Sequence, residues 1–142
     1  MDFDHVVRVR ARYGETDQMG VIYHASYIPY FEIGRTELMR AHGIRYATME
    51  QSGLFLTVVE VGARYRQPAR YDDLLAIRTR LSEFSGVRVR FDYRILRVLE
   101  PGTDETLLCE GHTTLACIDR AGKPRRLPEK ERTVFARLLS RG

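Results

Sequence analysis

The stretch "YGETDQMGVIYHASYIPYFE", Tyr13 to Glu32, sets an aspartate, Asp17, and a histidine, His24, on either side of Gly20, just ahead of an apolar helical run. The first turn of a helix has free backbone N–H groups that carry partial positive charge. Such a terminus can polarise a carbonyl oxygen or hold an oxyanion. Asp17, a few residues earlier, has the chemistry of a general base or of a nucleophile toward that carbonyl. Gly20 allows backbone and ligand to approach closely. Together these are the parts of an acyl-transfer site. The plainer account is that Asp17 shapes a turn, Gly20 satisfies it and His24 fills space at the helix start. Asp-x-x-Gly loops are common, so the residues alone favour the plainer account.

Other constellations are weaker. His5, His42 and His112 show no metal-ligand spacing, so neither a metal nor a cofactor is implied. There is no G-x-S-x-G, P-loop or dinucleotide fingerprint. Cys109 and Cys117 fit no C-x-x-C pattern. They lie an even number of residues apart on one expected strand, hence on one face, and read as reduced core residues.

These groups must be positioned by the surrounding elements. "HVVRVRARY" (5–13) alternates Val7, Val9, Ala11 and Tyr13 against Arg8, Arg10 and Arg12, which predicts a half-buried strand. Ser26 is placed to cap a helix whose first turn tolerates Pro29. Tyr27, Phe31, Gly34, Leu38 and Ala41 recur at helical spacing, with Tyr30 and Ile33 widening the stripe and Gly43 at the stop. A short helical piece is expected over 45–51. Strands are predicted over 54–67 (Val59, Val61, Ala63 and Tyr65 on one side, Glu60 facing away), 74–84, 87–95 and 106–119. Turns fall at 67–73 and 101–105, and a basic loop at 120–126. A helix over 128–139 begins at Pro128. Strands joined by short turns pair antiparallel, and such a sheet must bury one face. The helix over 27–42 is the expected cover, giving an α+β fold.

The chain has 142 residues, 44% hydrophobic and 30% charged, with net charge +4 and an isoelectric point of about 9.3. One domain over 1–142 is expected. No apolar run approaches the roughly 20 residues of a membrane span, and "MDFDHVVRVR" is unlike a signal peptide, so a cytoplasmic location is expected. Of 23 basic residues only Lys123 and Lys130 are lysines. Arginine grips phosphate in two-point fashion, but an even spread of arginines is also a plain surface bias.

"YGETDQMGVIYHASYIPYFEIGRTELMR" closely resembles the signature segment of the hotdog-fold acyl-CoA thioesterases, the family of the 4-hydroxybenzoyl-CoA and Tol-Pal-associated thioesterases. "QPARYDDLLAI" (67–77) resembles the family's second recurrent segment. The resemblance implies a hotdog fold, an antiparallel five-stranded sheet wrapped around one long central helix. It also implies hydrolysis of an acyl-CoA, with Asp17 as the catalytic carboxylate and the backbone amide near His24 polarising the thioester carbonyl. His24 matches a histidine of the Tol-Pal-associated branch. Glu15-Thr16-Asp17 departs from the family's commoner Asp-Thr-Asp and keeps a carboxylate at 15.

Tyr13, Gly20, Tyr23, Glu60, Arg88 and Arg90 are candidate substrate-binding residues. In some relatives an acidic or polar group in the strand of Glu60 approaches the catalytic loop across a dimer interface; more often such a residue is simply solvated. The arginine-rich faces and "GKPRR" would meet the CoA phosphates. A homodimer or a homotetramer built from dimers is expected, without nucleic acid. Two rivals stand beside this reading. A hotdog hydratase or dehydratase would place its acid on the central helix, where Glu32 and Glu37 are the candidates. A non-catalytic acyl-CoA or nucleic-acid binder has the basic isoelectric point in its favour.

Overall fold

A computed structural model of the chain describes residues 3–99 and 105–140. Strand β1 (His5–Arg10) is followed by helices α1 (Tyr27–Ala41) and α2 (Tyr46–Gln51). Strands β2 (Leu54–Tyr65), β3 (Leu74–Phe84), β4 (Arg88–Val98) and β5 (Glu105–Asp119) come next, and helix α3 (Glu129–Ser140) closes the chain. The hairpin turn expected over 101–105 lies outside the described residues, except that Glu105 opens β5.

The five strands form one antiparallel sheet in the order β1-β3-β4-β5-β2. Consecutive β2 and β3 are not neighbours, because β2 crosses to pair with β5 and becomes an edge. The alternation in β4 sorts its faces as the sequence predicts: Val89, Phe91, Tyr93 and Ile95 are buried on the face that carries the helices, while Arg88, Arg90, Asp92 and Arg94 point to the other side.

Helix α1 buries Tyr27, Tyr30, Phe31, Gly34, Leu38 and Met39 against that face. Ala41, expected in the stripe, is exposed. Phe31 stacks on Tyr93 with ring centroids 4.5 Å apart and planes 10° from parallel. Helix and sheet approach closely at Gly34, since a Cβ there would meet Thr79 Oγ1 and stand 2.9 Å from Ile77 Cγ2. The helix stops at Gly43, whose φ of +83° is left-handed. The Gly43 amide donates to Arg40 O (3.1 Å) and the Ile44 amide to Met39 O (2.9 Å), a Schellman ending.

Several expectations are corrected. The first strand ends at Arg10, and Tyr13 opens a short 3₁₀ turn, 75% exposed, rather than completing a buried face. Ser26 makes no side-chain cap to α1. A 3₁₀ turn, His24–Ser26, precedes the helix, and the Ser26 hydroxyl instead donates to Glu15 O at 3.3 Å. Strand β2 ends at Tyr65, and a bulge between Val58 and Glu60 shifts its register. Because Val59 is the extra residue, Leu56 and Val61 share the helix side despite their odd spacing. The central helix is not the sole cover. Helix α3 lays Phe135 edge-on against Phe84 and Phe91, at 5.5 and 6.3 Å, beyond the reach of α1.

Candidate active site

The loop between β1 and α1 is held shut by its own backbone. The Asp17 amide donates to Val21 O (2.9 Å), and Gly20, at φ +79°, takes the left-handed corner and donates to Asp17 O (3.1 Å). Asp17 Oδ1 accepts from the amides of Met19 (2.8 Å) and Val21 (3.4 Å). The carboxylate thus does shape the turn, as the plainer account held. It uses one oxygen for this, and no described residue donates to Oδ2.

Glu15 fastens the loop to the helix. Its Oε1 accepts from the Tyr30 hydroxyl (2.6 Å) and the Arg12 amide (2.8 Å), and its carbonyl accepts from the Tyr23 amide (2.8 Å). Burial and the Glu15 hydrogen bond both raise the Tyr30 pKa, so Tyr30 stays a neutral donor.

The segment 67–73 lies against this loop from the other side. The Ile22 amide donates to Ala69 O (2.8 Å), Val21 bridges Arg70, and the Ala69 amide donates to the Tyr27 hydroxyl (3.1 Å). Asp73 Oδ2 ties the segment to β4 by accepting from Arg97 Nε at 3.0 Å.

Asp17 and His24 line one cavity of about 280 Å³ together with Val21, Ile22, Tyr27, Tyr65, Arg66, Gln67 and Pro68. At its helix end, the Tyr23 amide is committed to Glu15 O and the Ser26 amide to Tyr23 O. Between them the His24 and Ala25 amides donate to no described backbone acceptor. The Tyr65 hydroxyl donates to His24 O at 2.8 Å and fixes that turn. The cavity can therefore seat a carbonyl group between a carboxylate oxygen and backbone donors at a helix entrance.

The other candidate residues are not brought into it. Tyr23 packs on the His24 ring (4.4 Å) and Tyr13 on Tyr71 (5.8 Å), both outside the lining. Glu60, Arg88 and Arg90 share a second cavity of about 380 Å³ with Glu83, Ser85 and Thr114, on the sheet face away from α1. Glu60 Oε2 lies 3.2 Å from His112 Nε2, a partner the sequence reading did not give it. In the basic loop, Arg125 is already paired with Asp119 at 2.9 Å. Both cysteines are buried, and burial first, then the Glu110 charge, pushes the Cys109 thiol up to about 12. On α1, Glu37 pairs with Arg40 (3.3 Å), and Glu32 lies away from Asp17.

Sequence reasoning missed Tyr65, Arg66, Gln67 and Pro68. Gln67 and Pro68 stand in the second recurrent segment, so the signal was present. What the linear sequence lacked was the contact between that segment and the first loop.

The sequence pattern of the thioesterase-like superfamily matches residues 11–137. The chain is 35% identical over 122 residues to the acyl-CoA thioester hydrolase YbgC of Escherichia coli O6:H1, spanning 85% of this chain and 87% of that one. It is 36% identical over 87 residues to the putative acyl-CoA thioesterase YneP of Bacillus subtilis, spanning 61% of this chain and 63% of that one. Among solved structures, a DHNA-CoA thioesterase from Staphylococcus aureus superposes with a TM-score of 0.86 at 31% identity, covering 93% of this chain and 88% of that one. The chain belongs to the thioesterase-like superfamily and has its hotdog fold. Its class is that of the thioester hydrolases.

Proposed function

We propose that the chain hydrolyses acyl-CoA thioesters, with Asp17 as the reacting carboxylate. The observation that carries this is the shared cavity of Asp17 and the His24 turn, a carboxylate facing a helix entrance whose amides have no backbone acceptor. The thioester carbonyl oxygen points at the His24 amide. Asp17 Oδ2 either attacks the carbonyl carbon or takes a proton from the water that does. The carbon–sulfur bond breaks, CoA leaves as the thiol, and water supplies the hydroxyl of the free acid. Two relatives bear acyl-CoA thioester hydrolase or thioesterase in their names, which supports this choice of substrate.

Arg66 lines both this cavity and a neighbouring one of about 450 Å³ on the outer sheet face, beside Arg64, Arg90 and His112. The CoA phosphates run along that path from Arg66 toward Arg90 and Arg88, competing with Glu110 for Arg66 (2.8 Å) and with Asp92 for Arg90 (3.0 Å). The open edge of β2 carries Val58, Val59, Val61 and Tyr65, each 45–47% exposed, and it is the surface on which a second copy pairs. A cytoplasmic homodimer, or a tetramer of such dimers, is the working assembly.

Thiol release from a panel of acyl-CoAs tests the reading. Turnover of at least one member by the parent is expected, and binding without release across the panel would replace the enzyme with a binder.

A further inference from the structure

A cavity of about 170 Å³ opens between α1 and β2, lined by Glu32, Arg35, Thr36, Met39, Tyr46, Leu56 and Leu115. It stands apart from the Asp17 cavity but lies along the same seam. The Tyr27 and Tyr65 rings meet at 5.2 Å where α1 begins, and the Tyr46 hydroxyl binds the Leu56 backbone (3.0 and 3.3 Å) at the other end. At about 1.5 Å per residue, Arg35 lies about 12 Å along the helix axis from Tyr27. Between the two cavities, Val58 and Val61 sit opposite Leu115 and Thr113 on the helix side of the sheet, yet they remain 45% and 46% exposed. Two half-exposed valines therefore lie on the helix side of the sheet between the Asp17 cavity and the one at Arg35.

Arg35 is partly buried and shares this cavity with Met39, Leu56 and Leu115 as well as with Thr36 and Tyr46, and its guanidinium lies beside the Tyr93 hydroxyl. No carboxylate of the described residues is within ion-pairing distance of it. Glu32 lines the same cavity but is exposed and makes no pair with Arg35. A partly desolvated guanidinium without a counter-ion is poorly compensated, and its planar fork matches a carboxylate.

We propose that this cavity receives the far end of the acyl chain, and that Arg35 selects acyl groups ending in a carboxylate. The inference rests on the thioesterase reading above and deepens it. An acetyl group stops well short of Arg35, so the preferred acyl chain is longer and crosses Val58 and Val61 in the seam that the proposed second copy covers.

The test compares ω-carboxyacyl-CoAs with unsubstituted acyl-CoAs of equal length, in parent and Arg35→Met. Both kcat/KM and calorimetric binding are measured, with oligomeric state checked by light scattering. The parent should favour the carboxylated series at medium length. Arg35→Met should lower that preference about tenfold or more, the loss expected of one charge-assisted hydrogen bond, and Arg35→Lys should retain part of it. No carboxylate preference in the parent, or a parallel fall of both series in Arg35→Met, overturns the inference. So does dissociation of the assembly in that variant with the preference intact, which would make Arg35 an interface residue. If neither series is hydrolysed while the binding preference persists and depends on Arg35, the thioesterase reading fails and this one stands.

Discussion

The Asp17 carboxylate holds the turn through Oδ1, which accepts from the Met19 and Val21 amides, and the mechanism proposed above assigns Oδ2 to the substrate. Asparagine keeps an acceptor for the turn, whereas alanine does not. Asp17→Ala should unfold in urea at a stability about 1 kcal/mol lower than Asp17→Asn, the usual net worth of such a bond; equal midpoints would mean the turn does not depend on Oδ1. Glu15 is the second residue on which the loop depends. Its side chain is only 15% exposed and accepts from Tyr30 and the Arg12 amide. Glu15→Ala strands a buried hydroxyl and should lower stability by about 1–3 kcal/mol. It should also slow turnover, because the loop no longer holds Asp17 at the cavity. Denaturant melts and thiol release on the same preparation check both effects.

At the scale of elements, close approach is the feature most open to test. A Cβ on Gly34 would meet Thr79, and one on Gly111 would meet the Phe31 ring and stand 2.8 Å from Gly62 O. Gly34→Ala and Gly111→Ala should each cost about 1–3 kcal/mol by overpacking, while Gly14→Ala, with open space around it, should stay within about 0.5 kcal/mol. Thermal unfolding of the three variants would show the order. The sequence made α1 and β4 legible because each buries one regular face: Val89, Phe91, Tyr93 and Ile95 alternate, and Phe31, Gly34 and Leu38 follow the helical period. Strand β2 was less legible. It is an edge whose helix side is only partly covered, and its bulge at Val59 breaks the period. The pairing of β2 with β5 joins residues such as Leu56 and Cys117, far apart in the chain, and no local pattern encodes that. The site shows the same division. Asp17, Gly20 and His24 were visible as a local motif. Arg66 and Tyr65 entered only when the fold brought the end of β2 to the helix entrance, and Glu60, Arg88 and Arg90 were carried to the opposite sheet face.

For the whole molecule, the uncovered apolar edge of β2 predicts self-association. Light scattering should give a dimer or tetramer, and a fully active monomer at assay concentration would contradict it. Replacing Val61 with Lys on that edge should weaken the assembly and activity together. Affinity for CoA should fall with added salt, since the arginines proposed for its phosphates lie at the surface; equal affinity for a pantetheine thioester lacking the nucleotide would assign those arginines elsewhere. The proposed hydrolysis rests on Asp17, and its most direct measurement is thiol release by Asp17→Asn beside the parent, with acyl-CoA binding measured on both. Asp17→Asn should bind close to the parent and turn over about a hundredfold or more slowly, as for loss of a group acting in the transition state. Hydrolysis by Asp17→Asn at the parent's rate would contradict it.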